Sequence, residues 1–284
     1  MQLSIIIINY NSKLLLEQCL LSASIATKEI KNEIIVVDNN STDGSKEYLP
    51  SKFPGIKFIF NNDNLGFARA CNQGFKISSG NYVLFLNPDT ILTGSCLIDC
   101  ISFFETHPDA GAIGVRMING EGTFLKESKR GLPTPSASFY KLFGLAALFP
   151  RSKTFSKYYE GHLAETENNP VEILSGAFMM TPREVFEKTN GFDEMFFMYG
   201  EDIDLSIRIL EAGYKNYYLG SVSITHLKGG STKYDRKYVN DFYDAMKLFV
   251  RKHFSDKPVL FRLLLNTGIS VRKIAATIGL LFHR

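Results

Sequence analysis

The chain has 284 residues, with 32 Lys and Arg against 29 Asp and Glu, a formal net charge of +3. That length can bury a real core as one large domain or two small ones, and 45% hydrophobic with 21% charged residues excludes a disordered chain. So small a charge excess leaves no electrostatic footprint of a nucleic-acid binder, and no nucleic-acid partner is expected.

The chain opens on Ile5-Ile6-Ile7-Ile8, which has no basic flank and ends in Asn9-Tyr10-Asn11. It is too short for a signal-peptide core and reads as a strand. Leu3–Ile8, Glu33–Val37, Ile56–Phe60 and Tyr82–Leu86 are β-branched or aromatic runs of strand length. Lys13–Ser24, Gly44–Leu49 and Phe67–Ser78 lie between them with helix-like spacing. This alternation predicts an α/β fold with a parallel sheet covered on both faces. Ligands of such sheets sit at the carboxyl ends of strands, which directs attention to Asn9-Tyr10, Asp38-Asn39 and Asn87-Pro88-Asp89.

From Met117 to Asn169 the pattern loosens around Gly120, Gly122, Pro133, Pro135 and Pro150, with a short apolar piece at Phe139–Phe149, and reads as a mobile insertion. Regular structure resumes at Val171–Met180. Thr181-Pro182-Arg183-Glu184 has capping-box spacing before a helix that should stop near Asn190-Gly191. A helix over Glu201–Ala212 closed by Gly213, a strand over Tyr214–Thr225, and helices over Tyr234–His253 and Val259–Phe282 complete the prediction. The expected units are a main domain over 1–232 and a helical extension over 233–284. The main domain divides near 116 into two parts, the second with its flexible insertion at 117–170. No segment reaches the roughly 18 uncharged apolar residues of a membrane span. Cys19, Cys71, Cys96 and Cys100 form no paired framework, so reduced thiols and a cytoplasmic location are expected.

Four places carry candidate chemistry. Asp38, acceptor-only when ionised, suits an imide N–H of uracil or thymine; taken alone it is better read as a loop cap. Asp89, after a hydrophobic strand, could hold Mg²⁺ or Mn²⁺ against a diphosphate, and Asn-Pro-Asp is equally strong turn chemistry. Glu201, Asp202 and Asp204 crowd the first turn of a helix; the dipole accounts for one or two of them, and Asp204 with Arg208 makes an i, i+4 pair. They follow Phe196-Phe197-Met198-Tyr199, an aromatic run that reads as an acceptor wall. His226 ends a strand before Gly229-Gly230-Ser231, where an imidazole could complete a metal site, although a lone histidine is more often structural. No Walker loop or dinucleotide fingerprint occurs.

In this order, these motifs resemble the family 2 glycosyltransferases of GT-A fold. Ser4–Asn11 is similar to the first strand, whose Tyr10 position lies against the nucleotide base. Val36–Ser45, with Asp38, resembles the base-recognition segment, and Asn64-Leu65-Gly66-Phe67-Ala68 with Asn72 and Gly74 resembles the third donor motif. Leu86-Asn87-Pro88-Asp89 stands where the family often has Asp-x-Asp. The resemblance implies nucleotide-sugar binding by Asn9, Tyr10, Asp38, Asn64, Gly66, Asn72 and Asn87. It further implies Asp89 and His226 as metal ligands, Tyr199 and Glu201 at the acceptor, and Asp202 as general base. It covers roughly residues 3–232 and looks most like the rhamnosyltransferase branch. Two departures stand out: Asn87 replaces the first acid of Asp-x-Asp, and Cys71 stands where many relatives have Arg, a role that nearby Arg69 does not inherit.

The implied activity is an inverting transfer of a sugar from dTDP-rhamnose, with UDP-sugars as the near alternative, to a glycan or lipid-linked hydroxyl. Mg²⁺ or Mn²⁺ is the implied cofactor. A non-catalytic nucleotide-sugar-binding protein on the same fold is the alternative, and it would predict loss of the acids that are present here. A nucleotidyltransferase would need a Gly-rich basic loop in place of Asn9-Tyr10-Asn11-Ser12. The apolar residues Leu260, Leu264, Val271, Ile274, Ile278 and Leu281 recur at helical spacing among Arg262, Arg272, Lys273 and Arg284. That pattern fits equally a helix packed on the core and one in peripheral contact with the inner membrane face; Asn266-Thr267-Gly268 is expected to interrupt it.

Overall fold

The computed structural model describes residues 2–134, 136, 140, 144–149, 151–227 and 235–282. Pro135, Pro150, Gly229-Gly230-Ser231, Arg284 and part of the Phe139–Phe149 piece lie outside them. In chain order, β1 (Leu3–Asn9), α1 (Lys13–Ala26), β2 (Asn32–Asp38), α2 (Ser45–Lys52), β3 (Lys57–Phe60), α3 (Phe67–Lys76) and β4 (Tyr82–Leu86) form the first half. There follow β5 (Thr90–Ile91), α4 (Cys96–Thr106), β6 (Ala110–Ile118), β7 (Asn168–Val171), β8 (Phe178–Pro182), α5 (Arg183–Lys188), α6 (Glu201–Glu211) and β9 (Lys215–His226). The chain ends on α7 (Arg236–His253) and α8 (Val259–Phe282), and Leu145–Leu148 makes a single helical turn between β6 and β7.

The described strands form one nine-stranded sheet of order β3-β2-β1-β4-β8-β6-β9-β5, with β7 on β9. All seven residues of β1 are buried, because helices cover both faces and its apolar residues need not alternate. Ile5 and Ile7 face one core with Leu16, Leu20, Leu97 and Ile101 from α1 and α4. Ile6 and Ile8 face the other, with Ala68, Cys71, Phe186 and Leu205 from α3, α5 and α6. Each fully buried isoleucine contributes about 2 kcal/mol of hydrophobic stabilisation.

The parallel half, β3-β2-β1-β4, is as expected from the sequence. The other half is mixed: β8 runs antiparallel to β4 and β6, and β9 is parallel to β6. Residues 90–116, for which the sequence reading assigned no elements, supply β5, α4 and β6. The Thr181 capping box does not form, since its hydroxyl donates to the Gly111 carbonyl at 2.7 Å and Pro182 precedes the helix. The last helix forms over Val259–Phe282 as expected, continuous for 24 residues through Asn266-Thr267-Gly268. Its Val259–Leu280 stretch, at mean hydropathy 1.2, is long and apolar enough by length and composition to cross a membrane, although Arg262, Arg272 and Lys273 lie within it. In the insertion, buried Lys129 donates to the carbonyls of Glu160 (2.7 Å) and Leu163 (2.8 Å), tying its two arms together.

Candidate active site

β1 is flanked by β2 and β4, whose connections leave in opposite directions, and at such a switch point ligands of α/β sheets sit beyond the carboxyl ends of the strands. Register sets Asn9 beside Asp38. Asn9 Nδ2 donates to Asp38 Oδ2 at 2.6 Å and to Ser41 Oγ at 3.1 Å, and the Ser41 N–H donates to Asp38 Oδ1 at 2.8 Å. Asp38 therefore does cap its own loop, and each oxygen keeps a second lone pair. Asn9 Oδ1 is buried with no protein partner among the described residues. Tyr10 stands beside this pair, 42% exposed.

The third motif is tied to the acceptor half. Gly66 has φ +81°, and a Cβ there would lie 2.2 Å from the Phe197 carbonyl oxygen. That close approach lets the Phe67 N–H donate to the same oxygen at 2.7 Å. Asn64 Oδ1 accepts from the Gly66 N–H at 3.0 Å. Asn72 is committed to structure: it clamps the Phe192 backbone at both N–H (3.0 Å) and C=O (2.8 Å) and reaches Glu194 at 3.1 Å. Asn39, flagged in the sequence only by its place at a strand's carboxyl end, is buried and donates to the Gly66 carbonyl at 3.1 Å, linking its loop to the Asn64–Ala68 motif.

Asp89 and His226, far apart in sequence, are brought together because β5 pairs antiparallel with β9, Thr90 opposite His226. His226 Nε2 lies 3.2 Å from Asp89 Oδ1, and both side chains are nearly buried. His226 Nδ1 is buried without a hydrogen-bond partner among the described residues. A hard carboxylate, an imidazole and an orphaned buried nitrogen fit a small divalent cation that draws its remaining ligands from water and a diphosphate. Among the described residues no third His, Cys, Asp or Glu joins the pair, consistent with Asn87 standing in the first acid's place. The Asn87 N–H donates to the Ala177 carbonyl at 3.0 Å. One residue earlier, the Gly176 N–H donates to Asp202 Oδ2 at 3.1 Å, so this strand start links Asn87 to Asp202.

Gly200, at φ +89°, starts α6. Asp202 Oδ2 also accepts from Arg130 Nη2 at 2.5 Å, while Oδ1 accepts from the Ile203 N–H at 2.8 Å. Glu201 is buried, and burial, followed by the Asp202 charge, pushes its carboxyl up to about 8. The same burial raises the Cys71 thiol, with Glu201 adding to it. The aromatic run reads differently in three dimensions. Phe196 is 1% exposed and packs on Ala245 and Phe249 of α7. Tyr199 lies against Tyr238 and Phe242, with ring centroids 5.3 and 5.7 Å away. Phe196 is thus core rather than acceptor wall, and Tyr199 helps to dock α7.

The strand switch point, the carboxylate–imidazole pair and the carboxylate at a helix start together make the candidate site. Residues 4–189 match the profile described as Glycosyl transferase family 2, and residues 164–235 match the N-terminal domain of galactosyltransferase. The chain belongs to glycosyltransferase family 2 and is a glycosyltransferase. It is 27% identical over 244 residues to the N-acetylglucosaminyl-diphospho-decaprenol L-rhamnosyltransferase of Mycobacterium tuberculosis, covering 82% of this chain and 78% of that one. Rhamnosyltransferase WbbL of Escherichia coli K12 is 27% identical over 205 residues, 68% of this chain and 72% of that one. Among solved structures, the mannosyltransferase PcManGT of Pyrobaculum calidifontis, in complex with GDP-Man and Mn²⁺, aligns with TM-score 0.60 at 18% identity. That alignment covers 97% of this chain and 72% of that one, and it shows the shared GT-A fold.

Proposed function

We propose that this chain is an inverting rhamnosyltransferase that moves rhamnose from dTDP-rhamnose to N-acetylglucosamine carried on a polyprenyl diphosphate, at the cytoplasmic face of the membrane. The observation that carries the reading is the β5–β9 pairing, which sets Asp89 against His226. The names of the mycobacterial and E. coli relatives support the sugar, and the first supports the acceptor. In this reading Asn9, Tyr10 and Asp38 take the base, Asn64 and Gly66 shape the donor pocket, and Asn72 holds it in place through Phe192. Asn87 lines the diphosphate end. Asp89 and His226 would hold Mg²⁺ or Mn²⁺, which supplies charge neutralisation for the departing diphosphate. Asp202 takes the acceptor proton, and a single in-line displacement inverts the anomeric centre. Tyr199 and Glu201 act on the acceptor side as support beneath the base. The exposed apolar face of α8 rests on the anionic bilayer that presents the acceptor.

The test is dTDP release by the full chain with dTDP-rhamnose and polyprenyl-diphospho-N-acetylglucosamine, beside UDP- and GDP-sugars. Transfer should require Mn²⁺ or Mg²⁺, fail with EDTA, and fall in Asp89→Ala and His226→Ala. Full activity in metal-free enzyme would reject the Asp89–His226 site. Faster turnover of a UDP- or GDP-sugar would reject the donor.

A further inference from the structure

The segment between β6 and β7 delivers a charged side chain to Asp202. The Arg130 backbone pairs with Ile173 in both directions, its N–H donating at 3.1 Å and its carbonyl accepting at 2.9 Å. This anchors the guanidinium beside the start of α6. Nη2 donates at 2.5 Å both to the Leu174 carbonyl and to Asp202 Oδ2. The Arg130 and Asp202 side chains are 12% and 14% exposed, so water screens the pair weakly. Burial alone would lower the Arg130 ionisation, yet the charges of Asp202 and Tyr158, both hydrogen-bonded to it, hold it above its ordinary value.

The charged and titratable groups facing Asp202 are few. On its own helix stand Glu201, buried, and Asp204, already matched by Arg208, Lys252 and His253. From the insertion come Arg130 and, through it, Tyr158. Arg130 is the cation paired with Asp202, which shares its helical turn with two other acids. With Arg130 and the Gly176 N–H both on Oδ2, the carboxylate cannot rotate freely, and Oδ1 keeps only the Ile203 N–H.

We propose that Arg130 is the positioning residue of the base: it holds Asp202 Oδ2 so that Oδ1 is presented ionised to the acceptor hydroxyl. This rests on the reading of Asp202 as the base. The acceptor proton passes to Oδ1 as the new oxygen–C1 bond forms and the C1–diphosphate bond breaks, dTDP leaving with the electron pair. Arg130 forms no bond to either substrate. A planar guanidinium is suited to this task because it satisfies the Leu174 carbonyl and the carboxylate together; a lysine ammonium supplies the charge without the fixed plane.

The experiment compares full-length wild type, Arg130→Gln, Arg130→Lys and Asp202→Asn. In protein labelled with ¹³C at aspartate carboxyls, the resonance absent from Asp202→Asn reports the base without any substrate. That resonance should shift in Arg130→Gln, whose neutral amide no longer pairs with Oδ2. The acidic limb of kcat/KM with dTDP-rhamnose and polyprenyl-diphospho-N-acetylglucosamine should move in the same variant. Arg130→Lys should keep the limb near its wild-type position but lower kcat about tenfold or more, with the KM for dTDP-rhamnose unchanged. An unmoved acidic limb in Arg130→Gln overturns the proposal. If that variant does not fold, wild-type kcat in Arg130→Lys overturns it instead. Full turnover by Asp202→Asn would defeat the base assignment itself, a result distinct from either.

Discussion

The first turn of α6 holds three carboxyls with three different sets of partners. Asp202 meets Arg130, Asp204 meets Arg208, and Glu201 Oε2 is buried with no hydrogen-bond partner among the described residues. Burial and then the Asp202 charge raise the Glu201 carboxyl from 4.5 to about 8, so it is mainly neutral at pH 7. A folded value above the unfolded one means stability that is full below about pH 4.5 and lost as pH rises through about 8. Glu201→Gln imitates the neutral form and should abolish that loss: melting at pH 8 should rise relative to wild type, with no gain at pH 4. Equal melting curves at pH 8 would show that Glu201 is ionised and partnered. Asp202→Asn, by contrast, should lower kcat by roughly two or more orders of magnitude, the scale of a lost general base, at little change in donor affinity. Near-normal single-turnover rates at saturating donor would contradict it. The acids were visible in the sequence as a helix start, but spacing alone could not rank them; the base was singled out by family resemblance. Arg130 was invisible, because Lys129-Arg130-Gly131 sits in an aperiodic stretch and its partner lies 72 residues away.

At the scale of elements, Asp204 joins α6 to the C-terminal helices. The i, i+4 pair with Arg208 was legible from spacing, its burial was not: the Asp204 side chain is 0% exposed. Lys252 and His253 at the end of α7 both reach Oδ1 at 2.7 Å, and Lys252 also pairs with Asp193 at 2.5 Å. Burial would raise the Asp204 carboxyl, but hydrogen bonds from His253 and Lys252 and the Arg208 guanidinium hold it down at about 2. A depressed carboxyl contributes stability above its ordinary 3.8 and loses it as pH falls through about 2. Asp204→Asn leaves the Arg208 and Lys252 cations facing a neutral amide and should cost about 3–5 kcal/mol, as for a buried ion pair broken on one side. Urea unfolding at pH 7 measures it, and the variant's stability should be flatter than wild type between pH 4 and 2. A loss below 1 kcal/mol would mean that the apolar contacts of Phe196, Tyr199 and Phe249 alone dock α7.

For the whole molecule, the parallel half-sheet could be read from its buried β-branched runs, whereas the strand order β8-β6-β9 depends on pairings across long stretches of chain. The same limit applied to the C-terminus, where spacing left a core helix and a membrane helix equally open. The structure gives α8 one packed face, with Ile269 buried and Lys273 bonded to Asp244 of α7 at 2.8 Å. The opposite face is exposed and apolar: Leu264 is 66% and Ile274 60% accessible, with Leu260, Val271 and Ile278 alongside. At 24 residues the helix is about 36 Å long, enough to cross a bilayer. Crossing would place Arg272 and Lys273 deep in hydrocarbon, at about 2.5–3.5 kcal/mol each near the centre. Lying in the interface instead keeps the Lys273–Asp244 pair wet and sets cations near lipid phosphates, worth about 1 kcal/mol each. Val259–Phe282 contains no acid to oppose this. The full chain should therefore float with vesicles containing phosphatidylglycerol at low salt, bind phosphatidylcholine vesicles poorly, and be released by high salt or carbonate wash. Leu264→Glu with Ile274→Glu, on the face that packs against nothing described, should abolish flotation while leaving melting temperature and dTDP-rhamnose binding unchanged. Retained flotation by this double variant, or resistance of the wild type to carbonate extraction, would reject an in-plane helix.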